Sequence, residues 1–180
     1  MTRNHDLHPD DTEARIRLRN QLRNLRRSTG VTVHALAEAC ATTPAAIYLY
    51  EQRGHNPLCA SVQRHARHLG RRLQLHPVFD PALPDHPDAA TFTALADATT
   101  NLDLAARHEQ AALMANLVAY RRWYGLTARD LADRLNVVRG SGSVSAIESG
   151  TKPAHLSTYQ RYARALGGRL DLHLQPIDQQ

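Results

Sequence analysis

The 180-residue chain has one lysine, two cysteines and no long apolar run, and each scarcity removes a class of protein. No stretch is long and apolar enough to cross a bilayer as a helix. The N-terminal MTRNHDLHPDDTE lacks the apolar core of a secretory leader. Cys40 and Cys59 stand at no metal-ligand spacing, and two cysteines in a chain of this size make no disulfide framework. Cys40 falls where a helix needs a small apolar residue, so burial is its expected role. Catalytic signatures are missing too: no glycine-rich phosphate loop, paired carboxylates or nucleophile motif occurs. Neither enzymatic activity nor a cofactor is expected. Among eleven histidines, His65 and His68 are the i, i+3 pair inside a predicted helix (His5 and His8 share the spacing on a predicted arm). Arginines around them would repel a cation and no cysteine lies at ligand spacing, so a zinc site is disfavoured.

What the chain does have is positive charge, nearly all of it arginine; Lys152 is the sole lysine. The formal net charge is +5 and the isoelectric point about 9.7, which suits a polyanionic partner. Arginine offers a planar fork to phosphates and guanine edges, although a GC-rich genome would produce the same bias. The charge is uneven. Residues 1–78 carry twelve arginines against six acids, residues 79–106 five aspartates and no base, and residues 107–180 ten bases against six acids. Two basic blocks flank an acidic connector.

The blocks are copies of one another. A shift of 95 residues superposes Leu22 on Leu117, Arg26-Arg27 on Arg121-Arg122, Gly30 on Gly125, Thr32 on Thr127 and Leu36-Ala37 on Leu131-Ala132. A shift of 97 aligns Glu51 with Glu148, and RHARHLGRRLQLH (64–76) with RYARALGGRLDLH (161–173), nine identities over thirteen positions. The second copy therefore carries a two-residue insertion, which matches the segment Arg139-Gly140-Ser141-Gly142.

Each copy reads as helices. Leu18, Leu22 and Leu25 share a helix face that Leu113, Leu117 and Tyr120 repeat. Gly30 and Gly125 close that first helix as left-handed caps. Thr32 and Thr127 then cap a second helix, which runs to about Cys40 and Leu135. Thr43-Pro44 opens a third helix with an N-cap and an N1 proline; Ile47 and Tyr50 face inward, matched by Val144 and Ile147. Gly54 and Gly150 stop it, with Pro57 and Pro153 beyond. A last helix presents Val62, Ala66 and Leu69, against Tyr159, Ala163 and Leu166. Each copy ends in alternating residues, LQLHPVF (73–79) and LDLHL (170–174), which predict a short strand. Asp80 to Asp88 holds three prolines and is expected to be loop. Residues 89–100 are expected to be helical, with Phe92, Leu95 and Ala96 inward. The predicted fold is mainly all-α, organised as a first domain over 13–79, an acidic Pro-rich linker over 80–102 and a second domain over 103–176.

The segments LRNLRRSTGVTVHALAEACATTPAAIYLYEQRGHNP and LVAYRRWYGLTARDLADRLNVVRGSGSVSAIESGTKP resemble the lambda-repressor-like (Cro/CI, XRE) helix-turn-helix family. The resemblance covers about two-thirds of the chain, in two tandem copies, and the second copy is the closer match. It implies that the second helix of each copy supports the third, which enters the major groove. It also implies that Arg26 with Glu51, and Arg121 with Glu148, are structural pairs bracing the motif. The chain departs from the family where a glutamine usually follows the threonine that opens helix two. Val33 and Ala128 stand there, so that phosphate contact is lost.

These resemblances nominate DNA-contacting residues. Thr32, Thr43, Pro44, Ala45 and Tyr48 belong to the first copy, with Arg53, His55 and Asn56 following its third helix. The second copy offers Thr127, Arg139, Ser141, Ser143 and Ser145, followed by Thr151 and Lys152. The third helix of copy one is poor in donors for base edges, so copy two is expected to be the stronger reader. Gly140 and Gly142 would let the enlarged turn at Arg139 lie close to the DNA backbone. Arg15, Arg17, Arg19 and Arg23 read as a solvated helix face, while Arg3 could belong to a DNA-gripping arm.

The terminal strands resemble those of HipB-type antitoxins, where such strands join two subunits. Here they are expected to pair within one chain, making the copies a pseudo-dimer; pairing between chains, as a homodimer, is the alternative. The expected function is sequence-specific binding of double-stranded DNA through its major groove and phosphates, as a transcriptional repressor engaging two half-sites. The alternative is an antitoxin or accessory protein that binds DNA and holds a protein partner. A cytoplasmic, nucleoid-associated location follows, with no membrane partner.

Overall fold

The computed structural model describes residues 8–52, 56–137 and 140–177. Within them the fold is mainly helical, with one two-stranded antiparallel sheet. The first copy comprises helices α1 (Pro9–Ser28), α2 (Val33–Ala39), α3 (Pro44–Glu51) and α4 (Cys59–His68), then strand β1 (Arg71–Val78). Helix α5 (Pro87–Ala98) connects it to α6 (Leu102–Trp123), α7 (Ala128–Arg134), α8 (Ser141–Glu148), α9 (Leu156–Ala165) and strand β2 (Arg169–Pro176). Among the described residues no helix is long and apolar enough to cross a membrane.

Local chemistry sets the helix ends, and sets the turn into α2 as it sets the turn into α7. Gly30 and Gly125 adopt φ of +72° and +67°. This left-handed turn lets Val31 N–H reach the Arg26 carbonyl at 3.1 Å and Leu126 N–H the Arg121 carbonyl at 3.0 Å, satisfying otherwise orphaned helix carbonyls. Thr32 Oγ1 accepts from Ala35 N–H and Thr127 Oγ1 from Asp130 N–H, both at 3.1 Å. Asp130 completes a capping box by accepting from Thr127 N–H at 2.7 Å. The turns after α2 and α7 both pass through a non-glycine residue at positive φ, Ala41 at +49° and Asn136 at +51°. Those two positions are repeat counterparts, so the turn itself has been duplicated.

The copies meet about a pseudo-two-fold axis. Strands β1 and β2 pair with each other along their full length, from Arg71 opposite Pro176 to Val78 opposite Arg169. Strand β2 extends beyond the segment read from alternation at both ends, whereas β1 starts two residues earlier than read and stops at Val78, leaving Phe79 outside it. A second contact on the axis is the isolated bridge between Leu58 and His155, which are themselves repeat counterparts. Cys59 N–H donates to the Ala154 carbonyl at 2.9 Å, and Leu156 N–H to the Pro57 carbonyl at 3.1 Å. Each of those bonds is the image of the other.

Each copy's first helix lies against the other copy: α6 packs on α4 and β1, and α1 packs on β2. Buried apolar side chains of both copies consequently form one continuous cluster that includes Leu22 with Leu117, Leu36 with Leu131, and Ala66 with Ala163. Fully burying a leucine contributes about 1.5–3 kcal/mol, and leucines of both copies take part in this one cluster.

Three expectations need correction. Helix α5 begins at Pro87, inside the segment read as loop, because His86 Nδ1 accepts from Asp88 N–H and proline suits the first helical position. Leu95 points outward at 44% exposure, whereas Ala89 and Ala96 are buried where α5 packs closely on α6. Arg15 and Arg19 do not lie on a solvated face. Arg19 is buried, and Arg15 donates across the seam to Gln160 Oε1 at 2.6 Å.

Candidate nucleic-acid interface

The geometry around α3 and α8 is built from the same parts twice. Arg26 on α1 holds Glu51 at the end of α3 through two bonds, Nε to Oε1 at 2.7 Å and Nη2 to Oε2 at 2.9 Å. Its third nitrogen, Nη1, donates to the Val31 carbonyl at 3.1 Å, tying the pair to the helix-ending turn. In the second copy Arg121 repeats all three contacts, meeting Glu148 at 2.8 and 3.0 Å and the Leu126 carbonyl at 2.7 Å. Tyr162 Oη adds a bond to Glu148 Oε1 at 2.7 Å. The Glu51 bond holds the Arg26 guanidinium above its usual pKa despite burial. At Arg121 burial pulls the other way, but the Glu148 bond and charge outweigh it and the net shift is upward. These planar forks fix the inclination of α3 and α8; being buried, they are out of reach of any polyanion.

With that bracing on the inside, the outer faces of α3 and α8 are what each copy presents to solvent. In copy one Thr43 caps α3 by accepting from Ala46 N–H at 3.2 Å. Thr43, Ala45 and Tyr48 are exposed beside Leu49, and Pro44 is half-buried. In copy two the N-cap of α8 is Gly140, at φ +60° with no side-chain cap bond. Its first-turn amides thus lack the side-chain acceptor that Thr43 supplies, which favours an anionic acceptor there. Ser141 and Ser145 are exposed, and Ser143 is half-buried. Gly140 escaped the sequence reading as a cap. Its alignment with Thr43 under the 97-residue shift is the signal that could have found it.

The remaining nominated residues divide. Thr32 is exposed at the start of α2 and Lys152 is exposed after α8. Thr127 is exposed, but its hydroxyl donates to Asp130 Oδ2 at 2.6 Å while accepting from Asp130 N–H, so it has no proton left to offer a phosphate. Asn56 belongs to the seam between copies. Its Nδ2 donates to Ser157 Oγ at 2.8 Å, and its carbonyl lies 2.8 Å from His155 Nδ1. Arg3, Arg53, His55 and Arg139 lie outside the described residues.

Of the histidine pair considered as metal ligands, His65 is buried and packs edge-on against Tyr50 with ring centroids 5.2 Å apart. Burial pushes its pKa down to about 4. Neutral and enclosed, it acts as a core residue.

No protein-family model matches the chain, and no curated protein or solved structure matches it either.

Proposed function

We propose that the chain is a sequence-specific double-stranded-DNA-binding regulator, a repressor built as a single-chain pseudo-dimer of two lambda-repressor-like helix-turn-helix units. The observation that carries this reading is the duplicated brace: Arg26–Glu51 and Arg121–Glu148 hold α3 and α8 in the same way on either side of a pseudo-dyad. Two helices so related suit two half-sites, and on one side of the duplex those lie about one turn, ~34 Å, apart. Linking both heads in one chain raises the effective concentration of the second contact without a second protomer. The outer faces differ, with Ser141 and Ser145 on α8 against Ala45, Tyr48 and Leu49 on α3. The half-sites are therefore expected to differ in sequence, with α8 reading more base edges.

Selection of bound sequences from random duplex DNA tests the proposal. Two unequal half-sites at fixed spacing are expected, with affinity falling steeply with salt. Replacing Ser141 and Ser145 together by alanine should weaken the preferred sequence and leave non-specific binding unchanged. Recovery of no enriched sequence would remove the sequence-specific reading.

A second reading is favoured by Tyr48 and Leu49, exposed by 51% and 52% on the outer face of α3. Such a pair suits a protein partner, as in an antitoxin or accessory factor. Stoichiometric capture of one partner, lost in Tyr48→Ser with Leu49→Ser while DNA binding persists, would establish that role.

A further inference from the structure

The pseudo-dyad allows polar contacts on its two sides to be compared, and around Gln160 and its counterpart Gln63 the two sides disagree. On the α1–α9 side, Gln160 is fully buried and both ends of its amide are satisfied. Its Oε1 accepts from Arg15 at 2.6 Å, and its Nε2 donates to the Asp11 carbonyl at 2.9 Å. Arg164 beside it bonds both carboxylate oxygens of Asp11 at 3.0–3.2 Å.

On the α6–α4 side, the counterparts Gln63 and Arg67 face Gln110 and Glu109. Gln110 Nε2 donates to Gln63 Oε1 at 3.1 Å and to the Ala106 carbonyl at 3.2 Å. The Ala106 bond fixes which end of Gln110 is nitrogen, and so fixes Gln63 with its own nitrogen turned away. Glu109 receives Arg67 at 2.6 Å and Arg72 at 3.2 Å, both on Oε1. Gln63 Nε2 and Glu109 Oε2 are buried with no hydrogen-bond partner among the described residues. Gln63 is 0% and Glu109 7% exposed, so neither atom recovers its bond from bulk water.

Both residues line the same half-open cleft, a space of about 360 Å³ between α4, β1, α5 and α6. Its size is that of a small-ligand pocket. Helix α5, which packs on α6 just ahead of it in the chain, supplies the outer wall of this space. Arg67 Nε is also buried without a partner among the described residues, but Arg67 does not line this space. The unpartnered donor and acceptor of the lining residues Gln63 and Glu109 call for a molecule that offers the complement of each. Charge argues for a neutral one: Arg67 and Arg72 already balance Glu109 and Asp97, while Asp85 at the rim is exposed and solvated.

We infer that this cleft is a binding site for a small neutral molecule carrying an N–H donor and a carbonyl acceptor, of the lactam, ureide or nucleobase class. On binding, the two side chains turn toward this space, where the N–H bonds Glu109 Oε2 and the carbonyl accepts from Gln63 Nε2. Because the walls come from α4 and β1 of one copy, α6 of the other and α5 between them, an occupant clamps the connector onto the seam.

Binding is read on the full-length protein without DNA, so its outcome is distinct from that of the DNA-binding proposal. Calorimetric titration with uracil, 2-pyridone and hypoxanthine should find at least one Kd of about 1 mM or tighter. 1,3-Dimethyluracil keeps the ring and carbonyls of uracil but has no N–H to give Glu109. Where uracil binds, it should bind at least about tenfold more weakly. Thr93→Phe, or Ala90→Phe if that variant fails to fold, fills the cleft from α5 and should abolish the signal with the melting temperature retained. The inference is overturned if none of the three probes binds, if dimethyluracil matches uracil, or if the filled variant binds as the parent does.

Discussion

Leu75 and Leu172 are repeat counterparts, and they lie directly opposite one another in the β1–β2 ladder. A residue paired with its own image sits on the pseudo-dyad. Leu58 and His155, also images of one another, mark a second point on that axis. Strand register and helix packing thus agree on a single symmetric arrangement.

Directly opposed residues in an antiparallel pair have Cβ atoms about 4.5–5.5 Å apart, close enough to bridge after a small adjustment. The variant Leu75→Cys with Leu172→Cys should therefore crosslink within one chain on mild oxidation. Cys40 and Cys59 are buried and should not compete. Non-reducing electrophoresis should show a faster-migrating monomer; a ladder of covalent dimers would mean that the strands pair between chains.

The Arg26–Glu51 pair is buried on both sides, its side chains 9% and 8% exposed. Glu51→Ala leaves a guanidinium enclosed without its counter-charge, a loss of about 3–5 kcal/mol. Denaturant unfolding should show the midpoint falling by that equivalent. A change under about 1 kcal/mol, the range of solvated pairs, would show that the brace is open to water.

His65 gives the fold an acid-sensitive component. Its pKa is lowered from 6.5 to about 4 by burial, so between those values the unfolded chain binds the proton and the folded one does not. Stability from this group is complete above pH 6.5, falls as the pH drops and levels off below about 4, a total loss of about 3 kcal/mol. Urea midpoints across that range should fall in the parent and fall less in His65→Phe. Parallel curves would count against the buried neutral imidazole.

Ala41 and Asn136 hold the same left-handed turn, but asparagine tolerates that region and alanine does not. Ala41→Gly should therefore stabilise the chain by about 0.5–1 kcal/mol, after the greater freedom of glycine in the unfolded state is offset. Thermal melting is the check. A lower melting temperature would refute the assigned turn geometry.

How much of this was legible in the chain follows from the range of each interaction. The helix limits were readable because caps act over three or four residues: Thr32, Thr43 and Thr127 open helices, and Gly30 and Gly125 close them. Repetition reinforced those signals, and paired the arginines and glutamates of the brace through the family resemblance. Contacts across the seam were not readable. Arg15 looked like part of a wet helix face because nothing within its own helix announces Gln160, 145 residues away. Asn56 looked like a loop residue facing a polyanion, yet Ser157 of the other copy takes its amide. Leu95 was assigned inward by period, but the close approach of α5 to α6 admits alanines and turns the larger side chain out.

The sequence by itself determined the two copies, their helices and the turn that each repeats, because local hydrogen bonding and apolar period are written residue by residue. Only the tertiary structure decided that β1 meets β2 in the register that places Leu75 on Leu172, and that each first helix lies against the opposite copy. It also decided that the two sides are unequal in their polar bonding. The same glutamine is satisfied as Gln160 and left with a free N–H as Gln63, because the groups facing it arrive from distant parts of the chain.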